Sequence, residues 1–310
     1  MATIRDIAQL AGCSVTTVSR VLNNHPYVAD EKREQILAII EELDYIPNAQ
    51  ARDLSNGLSK NIGVLIPYAN VPHYEKLISG ILNAAFRADY RITLLPTNYD
   101  TTKEEFYLKQ LAAKAYDGLI ITSKSISFDV IQGYLKYGPI VCCEDTGSYP
   151  ISYVSFQREQ SYIEVFEHFK QHGLATIGLA LGRDRSVSPS SRIVLSAYEE
   201  CFGQAPATAL LYYGCRSYED GLKAGTYFST LANAQAIFAN GDDVAAGIIK
   251  GLPATRKMEV IGEENLISSQ LLGFSTVDHH LEQCGAEAFE LLFKDQNSRT
   301  TIPYQFIKRS

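Results

Sequence analysis

The sequence contains no tryptophan and only two methionines. It also has no uninterrupted apolar run near the ~20 residues that a membrane-spanning helix needs, so no membrane partner is expected. The opening Met1-Ala2-Thr3-Ile4-Arg5 lacks a basic segment leading into an apolar one. No export signal is visible there, and a cytoplasmic location is expected. Positive charge is scarce: 28 Lys and Arg stand against 35 Asp and Glu, a net charge of -7 that by itself does not announce a nucleic-acid binder. The six cysteines, Cys13, Cys142, Cys143, Cys201, Cys215 and Cys284, include no C-x-x-C pair and read as reduced, buried thiols. His168 and His172 stand at i and i+4 of an expected helix, but no nearby Cys or acidic third ligand completes a site, so no metal is expected. No phosphate loop, no G-x-G-x-x-G and no nucleophile elbow occurs, which argues against an enzyme and against a cofactor.

What is present is a globular chain of 310 residues, 46% hydrophobic and 20% charged, long enough for two or three compact units. Its first stretch, Thr3 to Asn23, reads as two helices joined by a tight turn. Ile4, Ile7, Ala8 and Ala11 recur at helical spacing, Gly12 suits the left-handed conformation that ends a helix, and Ser14 suits the N-cap of the next. Val18, Val21 and Leu22 form an inner stripe, which turns Val15, Thr16, Thr17 and Arg20 outward. That short polar, methyl-bearing face suits a DNA major groove. By spacing alone, the pair fits equally well the corner of an ordinary helical domain.

Asp30 is placed to cap a third helix with the core stripe Ile36, Ile39, Ile40 and Leu43. Residues 1–60 carry six basic against eight acidic residues, and most of the acids fall in this third helix. Pro47 then opens a brief helical stretch that Gly57 ends. Helices below about 12 residues are marginal in water, so this one needs a packing partner.

From Asn61 the pattern becomes strands alternating with helices: Ile62–Pro67, Tyr74–Ala88, Ile92–Leu95, Lys103–Ala115 and Asp117–Thr122. Pro139–Cys143 and Tyr153–Phe156 continue it, and Thr176–Gly182 restarts it. Strands follow at Ala209–Tyr213, Gln235–Ala239 and Glu259–Gly262, and a last unit comprises Ser275–Asp278, Leu281–Lys294 and Ile302–Phe306. Continuous apolar strands between helices predict parallel sheets covered on both faces, and the weak repeat predicts two similar lobes around a hinged cleft. Ligands in such folds lie beyond the carboxyl ends of strands. The candidates there are Tyr68 and Ala69, His73 and Tyr74, Thr122-Ser123, Glu144-Asp145, Arg183 to Ser188 with Arg192, Arg216, Asn240 to Asp242, and Glu263 to Asn265. Aromatics with carboxylates, amides and arginine suit a polar, multi-hydroxyl ligand such as a sugar or sugar phosphate. Asp242 also reads as a plain cap for a helix beginning at Asp243.

Three segments, Ala2 to Ala8, Gly12 to Asn23 and Leu43 to Ala49, resemble the headpiece of the LacI/GalR family of bacterial transcriptional repressors, at its usual spacing and without gaps. The resemblance continues more weakly over the rest of the chain. It implies a small all-α helix-turn-helix headpiece (residues 1–46) and a hinge helix and linker (47–60). An α/β two-lobed periplasmic-binding-protein-like domain with parallel sheets would follow (61–310). Lobe one would be about 61–154 plus 279–303, and lobe two about 157–276 plus the C-terminal end.

By the same resemblance, Val15, Thr16, Thr17, Arg20 and Asn23 face the major groove, and Thr3, Ser14, Ser19 and Asn24 face the DNA backbone. Asn48, Ala51, Leu54 and Ser55 belong to a hinge helix whose leucine wedges into the minor groove. Tyr68, His73, Tyr74, Ser188, Arg192, Arg216, Asp242 and Glu264 become the effector contacts, with Arg192 on the family's effector-binding arginine. The expected protein is a sequence-specific repressor, a homodimer on a near-palindromic operator, switched by a small metabolite. An activator of the same architecture, or a regulator without an effector, fits the same residues. Glu263-Glu264 stands where many members have an aromatic and an aspartate, and Ser186 stands where the purine-binding member has arginine, which argues against a purine. The stripe Leu77, Ile78, Ile81, Leu82 and Ala85 is broad enough to contribute to a dimer, although covering the sheet accounts for most of it. No heptad tail follows Lys308-Arg309, so no tetramer is expected.

Overall fold

The computed structural model describes residues 2–46 and 57–309, in two compact units, Met1–Ser59 and Lys60–Ser310. The hinge positions Asn48, Ala51, Leu54 and Ser55 lie outside the described residues.

The first unit contains α1 (Ile4–Leu10), α2 (Val15–Leu22) and α3 (Asp30–Glu42). Thr3 and Asp6 form a capping box on α1, and Ser14 accepts the Thr17 N–H at 3.1 Å to cap α2. Gly12, at φ 57°, makes the left-handed turn between them. Ile7, Ala8, Ala11, Val18, Val21 and Ile36 are buried together, with Leu22, Ile39, Ile40 and Leu43 packed at the margin. Asp30 does not cap α3: the N-cap is Ala29, without a side-chain bond, and Asp30 lies inside the first turn, where its charge favours the helix dipole instead.

The second unit holds two six-stranded sheets. Lobe one comprises β1 (Asn61–Ile66), α4 (Pro72–Arg87), β2 (Arg91–Pro96), α5 (Thr101–Ala112), β3 (Gly118–Ile121), α6 (Phe128–Gln132), β4 (Ile140–Cys142) and β5 (Ser152–Phe156). Lobe two comprises α7 (Arg158–Gln171), β6 (Ile177–Leu181), α8 (Pro189–Phe202), β7 (Leu211–Tyr213), α9 (Tyr218–Thr230), β8 (Ala236–Ala239), α10 (Asp242–Gly251), β9 (Glu259–Glu263), α11 (Ile267–Leu272) and β10 (Thr276–Asp278). The chain then returns to lobe one for α12 (Leu281–Leu291) and β11 (Arg299–Ile302), and ends in lobe two with β12 (Gln305–Ile307). The sheet orders, β11-β5-β4-β3-β1-β2 and β12-β10-β9-β8-β6-β7, repeat one plan, parallel except for β12 against β10.

The expected strand Ile302–Phe306 is therefore two strands in different sheets. Pro303 cannot donate to a ladder, and the chain changes lobes there. The helices α6 and α11 were not legible, being five and six residues long.

The stripe on α4 turns mostly inward. Leu77, Ile78, Ile81 and Ala85 are buried, and α12 crosses so closely that a Cβ on Gly80 would lie 1.9 Å from the Glu282 carbonyl oxygen. Leu82 and Phe86 alone of its large apolar residues stay outside, at 47% and 86% exposure. Cys142, Cys143, Cys215 and Cys284 are buried, whereas Cys13 and Cys201 are only half-buried, contrary to expectation. No described helix is long and apolar enough to cross a membrane.

Candidate functional site

In the first unit, packing of Val18 and Val21 inward leaves Val15, Thr16 and Arg20 exposed and Thr17 half-buried on the opposite face of α2, with Asn23 and Asn24 exposed beyond its end. Ser14 Oγ and Thr17 Oγ1 lie 2.9 Å apart, which fixes both side chains at the start of this face, and Asn23 Nδ2 donates to Ser19 Oγ at 3.4 Å. Thr3 is exposed, with its hydroxyl held by Asp6 at 2.8 Å. Two of the unit's few cations are committed internally. Lys32 Nζ donates to the Ala11 carbonyl at 2.6 Å, and Arg33 donates to the His25 carbonyl at 2.5 Å.

In the second unit, the ends of β1, β3, β4, β6, β8 and β9 converge on a cavity of about 560 Å³ between the lobes. Several contacts cross it. His73 Nδ1 donates to Glu264 Oε1 at 2.8 Å, and Lys76 Nζ donates to the Glu264 and Asn265 carbonyls at 2.7 and 3.2 Å. The Arg183 guanidinium sits 3.6 Å from the Tyr99 ring centre, and that of Arg216 4.9 Å from the Tyr68 ring. Tyr99 in turn shares hydroxyl bonds of 3.1 Å with Tyr74 and with Ser123.

Glu263 and Glu264 are both about 5% exposed, yet their environments divide them. Burial, with the neighbouring Glu264 charge, pushes the Glu263 carboxyl up to about 8. Burial acts on Glu264 in the same direction, but the His73 charge and hydrogen bond outweigh it and hold that carboxyl at about 2. Burial also lowers His279 to about 3. Ser161 already donates to the Arg158 carbonyl at 2.7 Å, so His279 Nε2–H donates to Ser161 Oγ at 3.2 Å and Nδ1 is left as an acceptor. Nδ1 faces Glu263 Oε1 at 3.8 Å, beyond hydrogen-bond distance, and neither atom has a hydrogen-bond partner among the described residues.

The backbone of Glu264 has φ 90° and that of Asn265 φ 47°, conformations costly for side-chain-bearing residues. Asp242 and its neighbours hold them. Thr276 Oγ1 donates to Asp242 Oδ1 at 2.6 Å, the Leu266 N–H donates to Oδ2 at 2.7 Å, and the Glu264 N–H reaches the Val277 carbonyl at 2.7 Å.

Two family models cover nearly the whole chain. Residues 3–48 match the bacterial regulatory proteins of the lacI family, and residues 59–310 match the periplasmic binding proteins and sugar binding domain of LacI family. Catabolite control protein B of Bacillus subtilis is 41% identical over the full length of both chains, and the NTD biosynthesis operon regulator NtdR of the same organism is 31% identical over 99% of this chain and 97% of its own. The chain belongs to the LacI family. It is a DNA-binding transcriptional regulator, and its relatives are regulators rather than enzymes. Among solved structures, the Lac repressor dimer bound to operator and an anti-inducer superposes with a TM-score of 0.82 at 21% identity, over 99% of this chain and 98% of that one, which shows the same fold.

Within this LacI-family frame, seven of the eight sequence-chosen cleft residues, Tyr68, His73, Tyr74, Ser188, Arg192, Arg216 and Glu264, line the cavity. Asp242 does not. It is fully buried beneath the loop after β9, where burial pushes its carboxyl up to about 7, and it is a fastening for Glu264 rather than a ligand contact. Nor is it the cap of a helix starting at Asp243: α10 begins at Asp242 itself, with Gly241 at the N-cap.

Arg192 lines the wall but is exposed, and its guanidinium donates to the Arg185 carbonyl at 2.9 Å, bracing its own loop. Tyr99 and Arg158 line the cavity and were not chosen. Tyr99 follows β2 and Arg158 follows β5, so both would have been found by applying the rule for residues after strands to those two strands as well.

The histidines at i and i+4 have a different use. His168 Nε2 donates to Glu259 Oε1 at 2.6 Å, so an acidic neighbour unseen in the sequence ties α7 to β9. His172 Nδ1 donates to the His168 carbonyl at 2.8 Å. Among the described residues, no group of three potential ligands is placed to hold a metal ion.

Proposed function

We propose that this LacI-family regulator is a homodimeric repressor that reads a near-palindromic operator and is switched by a small metabolite, a sugar or sugar phosphate, in the interlobe cleft. The observation that carries this reading is the cavity itself. It is lined by tyrosines, arginines and carboxylates, and it is bridged by contacts that a ligand of that chemistry would remake.

On this reading Val15, Thr16, Thr17, Arg20 and Asn23 contact base edges, while Thr3, Ser14, Ser19 and Asn24 contact phosphates. Asn48, Ala51, Leu54 and Ser55 form the hinge, with Leu54 opening the minor groove. Closure of the lobes around the effector joins or spreads the paired hinges. Exposed apolar side chains support pairing of two copies: Leu82 and Phe86 one turn apart on α4, and Ile267, Leu271 and Leu272 on α11 at 66%, 77% and 55% exposure.

The test is a binding titration of the full chain on a duplex selected from a randomised library, with sedimentation at the same protein concentration. Two chains per near-palindromic duplex, with affinity changed by a sugar or sugar phosphate, is the expected result. A single chain per asymmetric site would overturn the dimeric reading, and affinity unmoved by any such metabolite would overturn the switch.

A further inference from the structure

Three guanidinium groups in the cleft rest on aromatic faces and have no hydrogen-bond or ion-pair partner among the described residues. They are Arg158 over Phe156 at 5.0 Å, Arg183 over Tyr99 at 3.6 Å and Arg216 over Tyr68 at 4.9 Å from the ring centres, and all three line the cavity. A guanidinium stacked on a ring keeps the N–H edge in its own plane free for a planar or tetrahedral acceptor.

The carboxylates nearby are engaged elsewhere. Glu264 is paired with His73 at 2.8 Å, Glu144 stands 3.8 Å from Lys124 Nζ, and Asp145 accepts the Gly147 N–H at 2.8 Å. Glu159 is exposed, and Glu263 keeps its proton at neutral pH because burial raises its carboxyl to about 8. Glu144, Glu263 and Glu264 act on these arginines only from beyond ion-pair distance.

Arg158 and Arg183 are half-buried while Arg216 is exposed at the rim, and an unpaired cation partly withdrawn from water is costly unless something supplies the counter-charge. Arg192 is not the natural recipient of that charge, since it is bonded to the Arg185 carbonyl. The first turn of α8, Ser188 to Ser191, lines the same wall and adds the partial positive charge of a helix start. Also lining the cavity, Glu264 Oε2 and Asn240 Oδ1 are buried acceptors without a partner, suited to hydroxyl donors.

We propose that the effector is anionic: a sugar monophosphate whose phosphate seats on Arg158, Arg183 and Arg216, and whose hydroxyls donate to Glu264 and Asn240. This rests on the reading of the cleft as the effector site and narrows it, excluding the uncharged sugars. Because Arg183 and Arg216 belong to lobe two while Tyr99 and Tyr68 belong to lobe one, a bound phosphate would also consolidate the closed cleft.

The experiment is calorimetric titration of the full chain with hexose and pentose monophosphates, each beside its dephosphorylated sugar, with inorganic phosphate as a third arm. The expected result is one sugar phosphate per chain, bound at least about tenfold tighter than its own sugar or phosphate alone. Arg158→Gln and Arg183→Gln should each weaken it by about tenfold or more, and Arg192→Gln by much less.

A free sugar bound as tightly as its phosphate would overturn the anionic assignment and leave the cleft reading standing. Inorganic phosphate bound as tightly as any sugar phosphate would overturn the sugar half. Failure of every arm would overturn the cleft reading as well. The wild-type arms decide the matter if a variant fails to fold.

Discussion

His73 and Glu264 stand 191 positions apart in the sequence, yet their side chains meet at 2.8 Å across the interlobe cleft. One comes from the first turn of α4 and the other from the loop after β9, so the pair measures whether the lobes are closed. Lys76, one turn further along α4, fastens the same loop through its carbonyls.

Removing the imidazole should loosen closure. In His73→Ala, Glu264 loses its partner while remaining buried, a cost of about 1–3 kcal/mol. We expect a lower melting temperature and a larger radius of gyration by small-angle scattering. The pH dependence follows from the depressed Glu264 carboxyl: its contribution is complete above the ordinary 4.5 and is lost as the pH falls through about 2. An unchanged scattering radius would mean that the pair is incidental to closure.

Glu263 should behave in the opposite sense. Its carboxyl is raised from 4.5 to about 8, so the stability associated with its proton is present below 4.5 and disappears as the pH rises through about 8. Glu263→Gln, which keeps the neutral shape, should melt at least about 3 °C above the wild type at pH 9 and close to it at pH 5. Parallel stability curves from pH 5 to 9 would show that Glu263 is already charged.

At the DNA-reading face, Arg20→Ala should cost about 1–3 kcal/mol, concentrated at one base position of the operator. Titration against single-base operator variants reads this directly. Equal loss on every sequence would make Arg20 a phosphate contact.

The headpiece should also grip with an unusually shallow salt dependence. Residues 1–28 carry Arg5 and Arg20 as their only lysines or arginines, and Lys32 and Arg33 are committed to the carbonyls of Ala11 and His25. Four such cations in a dimer give a slope of log affinity against log salt of about -4. A slope near -8 or steeper would show that phosphate contacts come from elsewhere in the chain.

Much of the cleft was legible because one topological rule did the work: residues following parallel strands face the crevice, whatever the loops look like. That rule found Tyr68, Arg216 and Glu264, and it would have found Tyr99. It could not separate Asp242 from Glu264, since both are acids after strands. Only the packing of Thr276 and Leu266 onto Asp242 turns one into a fastening and leaves the other at the cavity. The partner of His168 was hidden for a related reason, because its acidic neighbour Glu259 is 91 positions away in the sequence.

The sequence by itself determined the helix-turn-helix, the parallel strands, the two-lobed repeat and the acidic balance of the headpiece. These follow from periodicity, capping and composition, which are local. Tertiary structure alone decided which buried acid is neutral, which arginines are spent on the protein and which remain unpaired in the cleft. Those properties depend on desolvation and on partners brought together from distant positions by the folding of two lobes against each other.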